Sequence, residues 1–231
     1  DGYLSGQELC EQLGVSRTAV WKYMKQLKEE GYEIEAVQNK GYCLKDVPDV
    51  LGESEIKSRL HTRWVGQTLY YYDEIDSTNT QIKRLAEEDA PHGTLAVADY
   101  QSRGKGRRGR AWDSPHGSAI YMSILFRPEI RPDRASMLTL VIGLSVTQAI
   151  RSNLGLQAQI KWPNDIVMNK KKVCGILTEM STEIDYINYV VIGVGINVNQ
   201  KVFDEELKEK GFITIPGRVS RRYFEEKFYG L

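Results

Sequence analysis

The chain has 231 residues, which allows one large domain or a small domain plus a medium one, and either arrangement can bury a core. Its 31 Lys and Arg residues balance 31 Asp and Glu residues. This balance excludes a global positive field, so any binding of nucleic acid has to come from local basic patches.

Cysteine usage and hydropathy predict a cytoplasmic protein. Cys10, Cys43 and Cys174 lie far apart and lack the short paired spacings of zinc and redox sites, so we expect reduced thiols. No segment approaches the roughly 18 apolar residues of a membrane span, and the N-terminal residues DGYLSGQELC have no signal pattern. We therefore expect no membrane contact. A first residue of Asp suggests that the sequence begins inside a longer one.

Residues 1–46 are predicted to form a small module of their own. Ser5 and Glu8 fit a capping box that opens a short helix, and Gly14 ends it. After a turn, Ser16 is a suitable N-cap for a second helix. Two short helices joined by a tight turn form a helix-turn-helix pattern.

The second helix has an apolar and a polar face. Its apolar residues recur at helical spacing: Val20, Met24 and Leu27. The donors suited to phosphates and base edges are Ser16, Arg17, Thr18, Lys22, Lys25 and Gln26. The following residues YEIEAVQNKGYCLK alternate around QNKG and predict a hairpin. Helices and hairpin together resemble a winged helix-turn-helix DNA reader, whereas the alternative is a helical hairpin with a solvated basic face.

A larger domain is predicted at residues 53–231, after an acidic segment DVPDVLGES that contains Pro and Gly. Strands are expected at TLYYYDEI and TLAVADYQ, flanking a helix, and at SAIYMSILFR. Asp133 is expected to cap a long helix that ends near Asn153. Closely spaced strands follow, so we expect an α+β domain whose mixed, mostly antiparallel sheet is covered by helices on one face.

Two polar motifs occupy the first half of this domain. The motif DSTN, residues 76–79, either caps a helix or presents hydroxyl and amide groups to a polar, uncharged ligand. The stretch SRGKGRRGR, residues 102–110, combines glycines, which let backbone N–H groups approach an anion, with cations. It lacks the Walker pattern, and we expect it to be mobile when empty and ordered around a ligand. The alternative is a solvated basic loop.

Three further motifs follow. KWPND, residues 161–165, offers a cation, an amide and a carboxylate that can hold a phosphate and a magnesium ion. Lys172 precedes the strand VCGIL. GVGIN places Gly193, Gly195 and Asn197 on one face of a strand, which predicts a bulky group against that face or a close backbone contact.

The order of these motifs resembles the biotin protein ligase family: DSTN, YQSRGKGRRGRAW, KWPND, KVCGIL and GVGIN. Together with the winged helix, the chain resembles the bifunctional members, which are biotin ligases and biotin operon repressors. The resemblance covers residues 1 to about 200. It implies a catalytic domain like that of class II aminoacyl-tRNA synthetases.

The resemblance implies a two-step activity. Biotin and ATP, with Mg²⁺, form biotinyl-5'-AMP and pyrophosphate, and biotin then passes to a lysine of the biotin carboxyl carrier protein of acetyl-CoA carboxylase. In bifunctional members the adenylate-bound protein is a homodimer that binds operator DNA and represses genes of biotin synthesis and transport. Two alternatives are a lipoate ligase-like enzyme that forms an acyl adenylate, and a biotin-sensing regulator without ligase activity.

The resemblance also implies residue roles. The catalytic residues would be Lys172, Arg107, Lys161 and Asp165, with Asp165 also a magnesium ligand. Biotin would be bound by Ser77, Thr78, Asn79, Gln101, Gly104, Lys105, Gly106, Arg107 and Lys172. The nucleotide would be bound by Arg107, Arg108, Arg110, Trp112, Asn164, Asp165, Gly193, Gly195 and Asn197.

The sequence departs from the family pattern at two places. Lys105 stands where an Arg is frequent, so the charge is kept but a bidentate grip is lost. Family members end in a helix and a small SH3-like barrel, whereas residues 210–231 of the tail 201–231 provide only part of the helix. We therefore expect this tail to be incomplete, the barrel to be absent, and segments to be skipped between about Gly211 and Arg222.

Overall fold

A computed structural model describes residues 2–46, 48, 51–200, 203, 207, 209 and 211–215. The chain divides into two compact units, Asp1–Asp49 and Val50–Leu231. Most of the tail for which we expect skipped segments, and all of residues 216–231, lie outside the described residues.

The first unit contains two helices and a hairpin: α1 (Gly6–Leu13), α2 (Arg17–Glu29), β1 (Glu33–Val37) and β2 (Gly41–Asp46). The predicted capping box is confirmed, because the Ser5 side chain accepts from the Glu8 N–H and Glu8 accepts from the Ser5 N–H. Gly14 ends α1 in the left-handed conformation, and Ser16 caps α2 through the Ala19 N–H. The predicted hairpin is confirmed as the antiparallel pair β1–β2.

The second unit contains three helices and seven strands within the described residues. They are α3 (Glu53–Arg59), β3 (Leu69–Ile75), α4 (Thr78–Glu87), β4 (Leu95–Gln101), β5 (Ala119–Phe126), α5 (Ser136–Leu154), β6 (Gln159–Lys161), β7 (Asp165–Met168), β8 (Lys171–Thr182) and β9 (Ile187–Asn197). The strand order is β3-β4-β5-β9-β8-β7-β6. The β3–β4 pair is parallel and all other pairs are antiparallel, which confirms the predicted mixed sheet.

Helices cover both faces of this sheet, so the expectation of a single covered face is wrong. Alternate residues of β5 point to opposite sides, as the two-residue period of a strand requires. Ile120, Met122 and Ile124 join the same core as the α5 side chains. Leu125 joins a second core with residues of α4. The site described below lies on the α4 face.

One expectation about α5 is wrong. Asp133 does not cap it, because a 3-10 turn, Pro132–Arg134, precedes the helix and Ala135 takes the cap position without a side-chain hydrogen bond. Among the described residues, the segment Pro132–Leu154 is also long and apolar enough to cross a membrane. The core helix of a soluble protein satisfies the same criterion. Here α5 buries one side against the sheet, including Val146 and Ile150.

Candidate active site on the α4 face of the sheet

The junction between β3 and α4 places the Ser77 hydroxyl at the site, where it does not cap the helix. Ser77 takes the N-cap position, yet its side chain makes no capping hydrogen bond. The capping alternative is therefore wrong for this side chain. Asp76 accepts from the Ser77 backbone N–H over 2.7 Å and pairs with Arg84 at 2.7 Å. Burial acts to raise the pKa of Asp76, but these hydrogen bonds outweigh it, so the pKa lies below its ordinary value.

Polar side chains next to this junction are buried in a shared hydrogen-bond network. The Thr78 backbone N–H donates to Gln101 Oε1 over 2.9 Å, and Gln101 Nε2 donates to Ser114 Oγ over 3.0 Å. Ser123 Oγ lies 2.7 Å from Thr78 Oγ1 and 2.6 Å from Asn79 Oδ1. Sequence analysis missed Ser114 and Ser123. A signal was present for Ser123, since it is a small polar residue within the apolar run YMSILF.

The basic loop, residues 102–112, is closed by its own backbone hydrogen bonds. The Gly106 N–H donates to the Arg110 carbonyl over 2.7 Å, and the Trp112 N–H donates to the Gly104 carbonyl over 2.9 Å. The cationic side chains of the loop are all exposed: Arg103, Lys105, Arg107, Arg108 and Arg110. Because the Gly106 N–H is used inside the loop, an anion would be held in this conformation by side chains and not by that N–H.

Two facing glycines form a slot for the Trp112 ring. Gly175 of β8 pairs with Gly195 of β9. A Cβ atom on Gly175 would lie 2.6 Å from Trp112 Cζ3, and one on Gly195 would lie 2.7 Å from Trp112 Cε2. A Cβ atom on Gly193 would collide with the Asn79 amide. The bulky groups predicted against this face are therefore an indole and an amide of the protein itself.

Lys172, near the start of β8, is paired with a carboxylate and lies close to two aromatic rings. Its Nζ is 2.6 Å from Asp165 Oδ1, 5.0 Å from the centroid of the Trp112 ring and 5.2 Å from that of Phe212. The indole Nε1 of Trp112 is buried and has no hydrogen-bond partner among the described residues. The cation, the carboxylate and the indole thus form one cluster, in which sequence analysis missed Phe212.

These groups surround a small cavity of about 50 Å³ that adjoins a cleft of about 970 Å³. The predicted site residues that line the small cavity are Ser77, Thr78, Asn79, Gln101, Lys105, Gly106, Arg107, Trp112, Asn164, Lys172, Gly193 and Gly195. Those that line only the cleft are Gly104, Arg108, Arg110, Lys161 and Asp165. Asn197 lines neither, because it is buried and its amide donates to the Ile213 carbonyl over 3.3 Å.

The described residues do not form a metal site of their own. Within the ranges given above, no group of three or more His, Cys, Asp or Glu side chains could hold a metal ion. The carboxylate predicted to bind magnesium, that of Asp165, is already paired with Lys172. Magnesium in proteins commonly keeps its waters and is held by one or two carboxylates plus substrate phosphates, so it would reach this cleft with a nucleotide.

In the first unit, the side chains predicted to contact DNA are exposed. Val20 is buried, whereas every predicted DNA contact is exposed: Ser16, Arg17, Thr18, Lys22, Lys25 and Gln26. Not all are equally available, since Arg17 donates to Gln7 over 2.9 Å and Gln26 donates to Glu30 over 2.8 Å. Lys22 has no such partner recorded among the described residues.

The fold and the cavity define an α+β domain with a polar, partly cationic cavity, preceded along the chain by a helix-turn-helix unit. Residues 1–43 match the HTH domain family. Residues 71–197 match the biotin/lipoate A/B protein ligase family. Because this second match covers more than half of the chain, the protein belongs to the biotin/lipoate A/B protein ligase family.

Several relatives are similar over most of the chain. The bifunctional ligase/repressor BirA of Bacillus spizizenii is 49% identical over 209 residues, and that of Escherichia coli is 35% identical over 212 residues. The matches cover 90% and 91% of this chain but 64% of each relative. A biotin protein ligase from Aquifex aeolicus, solved in complex with biotin and ATP, is 34% identical with a TM-score of 0.59, over 71% of this chain and 69% of that one.

Proposed function

We propose that the protein is an ATP-dependent biotin protein ligase of the cytoplasm. The observation that carries the proposal is the convergence of neutral polar groups and cations on one cavity, lined by Ser77, Gln101, Arg107 and Lys172. A neutral ureido ring needs fixed donors and acceptors, whereas a carboxylate and a phosphate need cations. The match to Aquifex aeolicus biotin protein ligase, solved with biotin and ATP, supports the same two substrates.

The first step joins two anions. A carboxylate oxygen of biotin attacks the α-phosphorus of ATP, the bond to the bridging oxygen breaks, and pyrophosphate leaves with biotinyl-5'-AMP retained. Lys172 and Arg107 would offset the negative charge that builds up at the α-phosphate, and Lys105 would add to that field. Asn164, Asp165 and the cleft arginines would hold the nucleotide and its magnesium.

The second step transfers biotin to a carrier. The ε-amine of a lysine on a biotin carboxyl carrier domain attacks the acyl carbon of the anhydride, and AMP leaves. Water competes with this amine, and we expect the basic loop, residues 102–112, to cover the intermediate and exclude water. A lipoate ligase and a sensor without ligase activity are the alternatives, and they differ in substrate and in pyrophosphate release.

The test is pyrophosphate release by the purified protein with biotin and Mg-ATP. We expect turnover with biotin, none with lipoate, and a loss of about 100-fold or more in kcat for Lys172→Ala and Arg107→Ala, since each removes a charge from the transition state. Lys171→Ala is the matched control, because Lys171 is the neighbouring exposed lysine of β8 and lines neither cavity. A wild-type protein that binds biotin but releases no pyrophosphate would support the sensor instead.

A second proposed function is biotin-dependent repression. The exposed basic surface of α2 and the similarity to bifunctional BirA proteins support it. The adenylate would favour a homodimer, and two α2 helices would then occupy two half-sites of an operator, so that adenylate binding and DNA binding strengthen one another.

We test this proposal with gel shifts on promoter fragments of biotin synthesis and transport genes, with biotin and Mg-ATP at physiological salt. Lys22→Ala should weaken binding about tenfold and flatten the salt dependence by about one charge. Lys28→Ala, an exposed lysine of α2 outside the predicted contact set, should change binding little. Equal affinity for random DNA, or no dimer by sedimentation with the adenylate, would contradict the repressor proposal and leave the ligase proposal standing.

A further inference from the structure

A chain of polar groups leads from the cavity wall to a carboxylate with no assigned role. Glu179 of β8 accepts from Asn79 Nδ2 over 2.8 Å, and Asn79 Nδ2 also lies 3.4 Å from the Leu177 carbonyl. On the other side, Asn79 Oδ1 is 2.6 Å from Ser123 Oγ, which is 2.7 Å from Thr78 Oγ1. Thr78 and Asn79 line the cavity. Glu179 itself lines neither the small cavity nor the cleft.

The protons available to these hydrogen bonds can be counted, from the Asn79 amide to the Ser123 and Thr78 hydroxyls. Both N–H bonds of the Asn79 amide have acceptors, so its carbonyl oxygen faces Ser123 and brings no proton. The short contact between these two oxygens therefore uses the single Ser123 proton. The contact between Ser123 and Thr78 must then use the Thr78 proton. Thr78 Oγ1 also lies 3.1 Å from Gln101 Oε1, which accepts from the Thr78 backbone N–H over 2.9 Å. The contact with Ser123 is the shorter of the two at 2.7 Å, so we assign the Thr78 proton to it.

Glu179, the carboxylate at the end of this hydrogen-bonded series, is held in its charged form. Lys83 Nζ lies 2.5 Å from Glu179 Oε1. Burial acts to raise the pKa of Glu179, but the hydrogen bonds from Lys83 and Asn79 outweigh it, so the pKa lies below its ordinary value. An ionised carboxylate only accepts hydrogen bonds, which fixes the direction of every donor behind it.

We infer that Glu179 is a positioning residue that sets the donor and acceptor order of the cavity wall, so that Thr78 Oγ1 presents lone pairs to an N–H group of the ligand. This inference rests on the proposed function, in which that ligand is the ureido ring of biotin. Glu179 acts through Asn79, Ser123 and Thr78 without touching the ligand. A cavity ordered in this way selects a ligand that donates at this point and disfavours one that accepts there.

The substitution Glu179→Gln keeps the size of the side chain but replaces a carboxylate, which only accepts hydrogen bonds, with an amide, which also donates them. Lys83 can only donate, so it holds the new amide oxygen, and the new amide nitrogen then faces Asn79 Nδ2. Either two donors meet, or the Asn79 amide turns over and the order reverses up to Thr78. In the first case repulsion pushes the Asn79 amide away from Ser123 and Thr78, and in the second case the Ser123 proton points at Thr78 Oγ1 and occupies a lone pair there. Each change weakens the fit of the wall to a ligand N–H.

The experiment measures biotin affinity by calorimetry and the steady-state constants of adenylate formation. For Glu179→Gln we expect the Kd and the KM for biotin to rise about tenfold or more, with kcat and the KM for ATP within about twofold of wild type. Glu179→Asp, which keeps the charge, should recover part of the affinity. Glu183→Gln, an exposed glutamate just beyond β8, is the matched control and should bind like wild type.

Four outcomes would overturn the inference. Wild-type biotin affinity in Glu179→Gln overturns the inference, and so does a parallel loss in kcat and in both KM values with a lower melting temperature, which indicates a purely structural role. A wild-type protein that binds no biotin overturns the proposed function, and the inference with it. If Glu179→Gln does not fold, Ser123→Ala decides, because it breaks the chain but leaves the Glu179–Lys83 pair, and unchanged biotin affinity in that variant refutes the inference.

Discussion

At the scale of single residues, the shape of the cavity depends on two glycines, because neither has a side chain. Gly175 and Gly195 face each other across β8 and β9, and the Trp112 ring lies over both. The sequence predicted that a bulky group covers Gly195, because glycines at a spacing of two leave one face of a strand bare. It did not predict the partner glycine on β8, since the pairing register of two strands is a tertiary property.

The glycine slot gives a prediction. Gly195→Ala places a Cβ atom 2.7 Å from Trp112 Cε2, so the indole has to move. We expect the free energy of unfolding, measured by urea denaturation, to fall by about 1–3 kcal/mol, as for other overpacked cores. In a Trp112→Ala background the same substitution should cost much less, because the colliding ring is gone. An equal cost in both backgrounds would show that Trp112 is not the obstacle.

The residues that sequence analysis missed share a physical cause. Glu179 lies on β8 among residues of mixed burial, and nothing in its neighbours distinguishes it from a solvated glutamate. Its partners Asn79 and Lys83 are about a hundred positions away in the chain. Only the folded sheet brings them together, whereas motifs such as DSTN carry their chemistry within a few consecutive residues.

At the scale of secondary-structure elements, the parallel β3–β4 pair positions the site. Ile75 pairs with Gln101, so both strands end at the same edge, and α4 begins there as well. The strands and the helix were predicted from their periodicity, and they are confirmed. The placement of α4 and α5 on opposite faces was not predicted, because hydrophobic periodicity shows that a helix has a buried side but not which side of a sheet it covers.

The capping box of α1 gives a prediction at this scale. Hydrogen bonds from Ser5 lower the pKa of Glu8, so the Glu8 half of the box is present at neutral pH and is lost only as the pH falls through that lowered pKa. Ser5→Ala removes the acceptor of the Glu8 N–H, and we expect the α1 amides to exchange hydrogen about fivefold faster. The amides of α2 serve as an internal control, since Ser16 caps that helix. Unchanged exchange in α1 would contradict a stabilising cap.

At the scale of the whole molecule, positive and negative residues are equal in number but unevenly distributed. Equal numbers of cationic and acidic residues exclude a global field, while the basic loop and the α2 surface concentrate cations at two separate features. Composition therefore predicted that binding has to be local. The order of motifs along the chain indicated the family, which residues 71–197 confirm. The roles of individual site residues stay predictions, because they depend on ligands.

The Trp112 indole, whose Nε1 is buried, also makes the cavity observable by its own fluorescence. The chain has four tryptophans, and the other three, Trp21, Trp64 and Trp162, are exposed by 57%, 45% and 76%. Emission from those rings reports mainly on solvent. Trp112 alone of the four lies against the glycine slot, with the Lys172 ammonium 5.0 Å from its ring centroid. A ligand that displaces this ring or this cation changes the Trp112 emission. Trp162 lines the adjoining cleft, so a variant without Trp162 would isolate the Trp112 signal and let occupancy be followed without a label.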